Sequence, residues 1–132
     1  MNEKCKKIFI VDDDYSFRKA VDRILSTNGY CTVEVSRSIP VIKTIIKEKP
    51  DLILLDLHMP KAGGIEIMRT MKRMKINIPV VVISGLLNDL DFRILRDYGV
   101  HHFLAKPVDL HTLISKVKEV LSQDVVQMSE SW

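Results

Sequence analysis

Five short apolar, β-branched runs punctuate the chain, at residues 7–11, 31–35, 52–55, 80–84 and 102–105. They are mainly apolar rather than alternating, which is the pattern of strands buried on both faces of a parallel sheet. The stretches between them carry helical spacing instead. Phe17, Val21, Ile24 and Leu25 repeat on one face of the first stretch, and Val41, Ile42, Ile45 and Ile46 on one face of the second. Ile65, Met68 and Met71 do so in the third, Leu90, Ile94 and Leu95 in the fourth, and Leu113, Ile114, Val117 and Leu121 in the last. Asn28-Gly29 closes the first helix and Tyr98-Gly99 the fourth, while Asn88 and Asp109 can cap helix starts. The order is therefore β-α repeated five times. Such alternation gives parallel strands joined by right-handed helical crossovers on both faces of the sheet. In an open sheet of this kind, ligands bind beyond the carboxyl ends of the strands.

Length and composition narrow the class. The chain has 132 residues, 46% of them hydrophobic and 28% charged, which fits one globular domain rather than a disordered or fibrous chain. No apolar run approaches the roughly 20 residues that span a bilayer, and the four apolar residues after Lys7 are too few for a signal-peptide core. A cytoplasmic protein without a membrane role is the expectation. The net charge of +3 comes from 20 basic and 17 acidic side chains spread along the chain, so direct nucleic-acid binding is not expected either. The two cysteines, Cys5 and Cys31, are expected as reduced thiols, with a regulatory disulfide between neighbouring strands the less favoured alternative.

The strand ends concentrate the chemistry. Asp12, Asp13 and Asp14 follow the first strand and Asp56 the third, and the fourth ends in Ser84-Gly85. The fifth runs Phe103-Leu104-Ala105-Lys106-Pro107, and the second ends at Glu34-Val35-Ser36 with no evident partner. Singly, each has a plain reading: a helix cap, which fits Asp14, a turn residue, or a solvated strand end. Jointly they place carboxylates, a hydroxyl and an ammonium around one crevice. Crowded carboxylates repel unless a cation neutralises them, and hard oxygen donors in this number suit Mg²⁺. Without the metal, at least one should titrate above the ordinary Asp value near about 3.9.

These stretches, in this order and spacing, resemble the receiver domain of two-component response regulators. The resemblance runs from about residue 6 to 121. It is carried by Ile8-Phe9-Ile10-Val11-Asp12-Asp13, by Pro50-Asp51-Leu52-Ile53-Leu54-Leu55-Asp56-Leu57-His58-Met59-Pro60 with Gly64 beyond, by Pro79-Val80-Val81-Val82-Ile83-Ser84-Gly85 and by Phe103-Leu104-Ala105-Lys106-Pro107. It implies a doubly wound (βα)5 α/β fold, flavodoxin-like, with a five-stranded parallel sheet in the order 2-1-3-4-5. It divides the chain into a receiver domain over residues 1–122 and a polar tail or the start of a linker over 123–132.

The implied function is a phosphoacceptor in a two-component phosphorelay. Asp56 would accept the phosphoryl group from a sensor histidine kinase or a histidine phosphotransfer protein. Asp12 and Asp13, with Asp56 and the backbone carbonyl of His58, would hold Mg²⁺, for which Mn²⁺ can substitute; of the pair, Asp13 is favoured as the direct ligand. Ser84 and Lys106 would bind phosphoryl oxygens, and Phe103 stands at the aromatic switch position. Pro60, Gly64, Gly85 and Pro107 are structural, and the Lys106-Pro107 peptide is a candidate cis bond. The output surface would be the fourth helix, fifth strand and fifth helix, where Leu90, Arg93, Arg96, Asp97, Lys116 and Glu119 are candidates for partner or homodimer contacts.

Some positions depart from the family pattern. Gly63 stands where Asp is frequent, Gly85 where Ala is frequent, and Phe103 lacks the hydroxyl of Tyr. His58 and Leu86 fall at positions that tune hydrolysis of the acyl phosphate, and Leu86 is expected to shield it from water. The methionines Met59, Met68, Met71 and Met74 read as packing and loop filler, and His101-His102 as a solvated pair. A dehalogenase-like hydrolase would need a second Asp where His58 stands, and a flavin binder would need a Ser/Thr/Gly-rich first loop. Dinucleotide and P-loop signatures are missing. The remaining rival is a receiver-like docking domain that is never phosphorylated.

Overall fold

The computed structural model describes residues 5–36, 40–57, 63–85 and 88–130, with side chains to residue 122. Strands β1 (Lys7–Val11), β2 (Cys31–Val35), β3 (Leu52–Asp56), β4 (Val80–Ser84) and β5 (His102–Ala105) form one sheet in the order β2-β1-β3-β4-β5. Every pairing is parallel. Helices α1 (Tyr15–Thr27), α2 (Val41–Glu48), α3 (Gly64–Arg73), α4 (Asp89–Asp97) and α5 (Leu110–Glu130) alternate with the strands. This is the doubly wound α/β fold expected from the β-α alternation.

The pleat divides each strand between two cores. Ile8 and Ile10 of β1 face one way, onto Val21 and Leu25 of α1 and Leu113 and Val117 of α5. Phe9 and Val11 face the other, where Val41 and Ile45 of α2, Met68 and Met71 of α3 and Leu95 of α4 close the second core. Strand residues 52–55 and 80–84 are all buried, as runs without alternation require. Helix ends behave locally as expected. Asp14 caps α1 by accepting from the Phe17 N–H, and Asn88 and Asp91 form a reciprocal capping box on α4. Gly29 and Gly99 sit at φ of 90° and 87°, where residues with a Cβ are strained.

Three expectations change. Ile46, spaced with the apolar stripe of α2, is exposed; Leu90 of α4 is exposed too, which departs from its stripe spacing but agrees with its place among the candidate surface contacts. The last helix does not stop at Leu121: its backbone continues to Glu130, because residues 122–130 contain no Gly or Pro to end it. The stretch expected as a polar tail is thus helical over most of its length, and its side chains lie outside the described residues. Cys5 and Cys31 are joined as a disulfide rather than held apart as thiols. The cause is register: Lys7 pairs with Cys31, the Cys31 N–H bonds the Lys6 carbonyl, and the cysteine Cα atoms come to 5.8 Å.

Candidate functional site

The carboxyl ends of β1, β3, β4 and β5 line up because the register pairs Val11 with Leu55, Asp56 with Ile83 and Ser84 with Ala105. Residues far apart in sequence therefore share one edge of the sheet. Asp12 follows β1 directly, and its N–H donates to the Val35 carbonyl at 3.1 Å, so its position is set by β2. Asp12 as a residue is nearly inaccessible, at 2% exposure, as is Ser84 at 1%.

Lys106 is the hub. Its Nζ lies 2.8 Å from Asp12 Oδ2 and 3.6 Å from Asp56 Oδ2. Its backbone N–H donates to the Ser84 carbonyl at 2.9 Å, tying β5 to the end of β4. The ammonium stands over the Phe17 ring, 4.6 Å from its centroid, and the peptide to Pro107 is cis, as the motif implied. The other Asp12 oxygen, Oδ1, accepts from the Asp14 N–H at 2.8 Å. Asp13, half-buried, follows in the same loop.

Charge and burial compete at Asp12. Burial lifts its carboxyl above the ordinary value of 3.8, and the charge of Asp56 adds to this, while Lys106 and the Asp14 N–H pull the other way. The expectation that one carboxyl of the cluster titrates high therefore holds, but desolvation rather than mutual repulsion is the leading cause. Burial pulls the Lys106 ammonium down; the hydrogen bond and charge of Asp12, with Asp56 and Asp14, outweigh it and hold Lys106 above its ordinary value.

Among the described residues no group of three or more His, Cys, Asp and Glu side chains is arranged to cage a metal. Mg²⁺ does not require a cage. It keeps several waters and takes one or two carboxylates with phosphate oxygens, so an all-oxygen loop of Asp12 and Asp13 beside Asp56 is chemically suited to it. The third protein donor implied by the motif, the His58 carbonyl, lies outside the described residues, as do Pro60 and Leu86.

Behind Ser84 is a recess of about 350 Å³ lined by Ser84, Gly85, Phe92, Phe103, Leu104 and Ala105. Phe103 is half-buried and meets the Phe92 ring edge-on at 4.9 Å. Gly64 is required by close approach. A Cβ there would stand 2.9 Å from the Leu57 Cα and 3.0 Å from the Asp56 carbonyl oxygen. At Gly85, by contrast, a Cβ would meet nothing within 4 Å among the described residues.

Two participants were not evident from the sequence. Glu34, left without a partner at the end of β2, accepts from Arg18 Nε at 3.2 Å and Lys19 Nζ at 3.0 Å. Arg18 Nη1 in turn donates to the Asp12 carbonyl at 2.8 Å. A local signal existed in the opposite charges at the start of α1 and the end of β2, but only the strand order makes them neighbours. His102 also departs from its reading as solvated: it is half-buried, and burial, with Lys116 nearby, pulls its pKa below the usual value.

Comparison with known proteins agrees with this architecture. The sequence profile of the response regulator receiver domain matches residues 8–118. The chain is 34% identical over 122 residues to sporulation initiation phosphotransferase F of Bacillus subtilis, covering 92% of this chain and 95% of that protein. It is 28% identical to the Bacillus subtilis alkaline phosphatase synthesis transcriptional regulatory protein PhoP, of which it spans about half, 52%. A CheY-like receiver domain protein from Methanospirillum hungatei superposes with a TM-score of 0.87 at 23% identity, over 94% of this chain and 99% of that one.

Proposed function

This chain belongs to the response regulator receiver family, and from that premise we propose that it is a phosphorylation-driven switch with Asp56 as phosphoacceptor. The observation that carries the reading is the convergence of Asp12, Asp56 and Lys106 at the carboxyl edge, with both carboxylates within 3.6 Å of one ammonium. A carboxylate oxygen of Asp56 attacks phosphorus; the bond from phosphorus to the donor's imidazole nitrogen breaks, and that nitrogen keeps the electron pair and takes up a proton. Asp13 and Asp56, with Asp12 behind them, would hold Mg²⁺. When bound, the ion offsets negative charge on the transferring group. Lys106 supplies positive charge from the other side, exchanging part of its contact with Asp12 and Asp56 for phosphoryl oxygens.

Ser84 would then bond a phosphoryl oxygen through its hydroxyl, and Phe103 would turn into the recess behind it. The change would reach the surface of α4, β5 and α5, for a partner protein or a second copy of the chain. The donor class is a sensor histidine kinase or a histidine phosphotransfer protein. A cytoplasmic setting is part of this proposal, and there the Cys5–Cys31 bond would form only transiently. Borohydride reduction of the phosphorylated protein tests the assignment, since it converts an aspartyl phosphate to homoserine. Peptide mass mapping is expected to find homoserine at position 56; modification elsewhere would refute Asp56 as acceptor.

A further inference from the structure

Arg18 and Glu34 hold the acidic loop from the side of α1 and β2. The Arg18 guanidinium spans two elements: Nη1 donates to the Asp12 carbonyl at 2.8 Å, and Nε to Glu34 Oε1 at 3.2 Å. Its side chain is 13% exposed and that of Glu34 20%, so the pair is largely out of water. A guanidinium keeps its donors in one rigid plane, so holding one partner fixes the direction offered to the other. Glu34 is itself fixed, because its second oxygen accepts from Lys19 at 3.0 Å and its strand is paired to β1. The carbonyl that Arg18 grips belongs to the same peptide plane as the N–H of Asp13. Orienting that plane sets the direction in which the Asp13 side chain leaves the loop.

We infer that Arg18, aligned by Glu34, is a positioning residue that presets the Asp12-Asp13 peptide for Mg²⁺, an inference that rests on the Mg²⁺ reading above. Groups that orient metal ligands through hydrogen bonds change affinity roughly 10–100-fold when removed. The alternative, that Arg18 is only a nearby charge, makes the opposite forecast: a cation beside the loop repels Mg²⁺, so removing it should tighten binding.

The test is titration of the isotope-labelled protein with MgCl₂, followed by amide chemical shifts, which also report whether each variant is folded. Arg18→Met is expected to weaken Mg²⁺ binding on the order of tenfold despite losing a positive charge. Arg18→Lys, which keeps the charge without the fork, and Glu34→Ala should weaken it similarly. The double variant Arg18→Met with Glu34→Ala should be no worse than either alone, because the two act through one contact. Lys19→Ala, which removes only the more exposed of the two contacts to Glu34, should weaken binding less than Arg18→Met does. Unchanged or tighter binding in Arg18→Met, full affinity in Arg18→Lys, additive losses in the double variant, or an equal loss in Lys19→Ala would each overturn the inference while leaving the Mg²⁺ site in place. A wild type that shows no Mg²⁺-dependent shifts would overturn both.

Discussion

At the scale of single residues, burial at two titratable side chains acts on stability with opposite signs. Asp12 titrates above 3.8 because it is buried, so between that value and its folded value the native state binds more protons than the unfolded chain. Stability is therefore lost as pH rises through that window, and at neutral pH the ionised carboxylate is a net cost. Asp12→Asn should raise the melting temperature in Mg²⁺-free buffer at pH 7, read by thermal unfolding; a lower value would contradict the burial argument. His102 goes the other way. Burial and then Lys116 hold it below 6.5; Glu119 opposes them, and His101 adds a smaller lowering. The unfolded chain then takes up protons first, and stability falls as pH drops from about 6.5 through the folded value. The loss on acidification from pH 7 to 5.5 should be smaller in His102→Gln than in the wild type. The glycines near the site separate as well. Gly64→Ala should cost about 1–3 kcal/mol, because its Cβ would press on the Leu57 Cα and the Asp56 carbonyl oxygen, backbone atoms that cannot swing aside. Gly85→Ala, with nothing in its way, should gain about 0.4–1 kcal/mol by restricting the unfolded chain. Denaturant midpoints of the two variants check both. The motif names both glycines without distinguishing them; their different roles follow from the neighbours each one meets.

Among the elements, what was legible depended on whether the cause is local. The strands and the starts and stops of α1 and α4 are written in short apolar runs, caps and glycines, all of which act within a few residues. The helix stripes are legible in direction but not in width. Spacing says that Ile46 and Leu90 lie near the apolar side of α2 and α4, but where the sheet stops covering them is a property of the packed fold. The partner of Glu34 and the closeness of Cys5 to Cys31 are non-local, since each depends on β2 lying beside β1. The cysteine pair gives this scale its prediction. It closes a loop of sequence separation 26, so removing the link by Cys5→Ser should cost about 2–4 kcal/mol. Denaturant unfolding of the oxidised wild type should show a midpoint above that of Cys5→Ser, and reductant should bring the two together. Equal midpoints without reductant would mean that the pair does not hold β2 to the segment before β1.

For the whole molecule, two cores on opposite faces of one sheet make a stiff frame whose carboxyl edge collects the charged groups. The residues of the site were legible as a set because each ends a strand or follows directly after one, where the fold offers its ligand-facing positions. Their mutual arrangement was not, and it contains the main physical fact of the site: one ammonium, from Lys106, is shared by Asp12 and Asp56. Mg²⁺ at about ten times its dissociation constant should stabilise the fold by about 1.4 kcal/mol. The central claim is that this edge transfers a phosphoryl group to Asp56, and intact mass after incubation with acetyl phosphate tests it most directly. A single phosphoryl addition in the wild type, dependent on Mg²⁺ and missing from Asp56→Asn, is the predicted result. Equal addition to Asp56→Asn, or none to a wild type shown to bind Mg²⁺ and challenged as well with a phosphorylated histidine kinase, would contradict it.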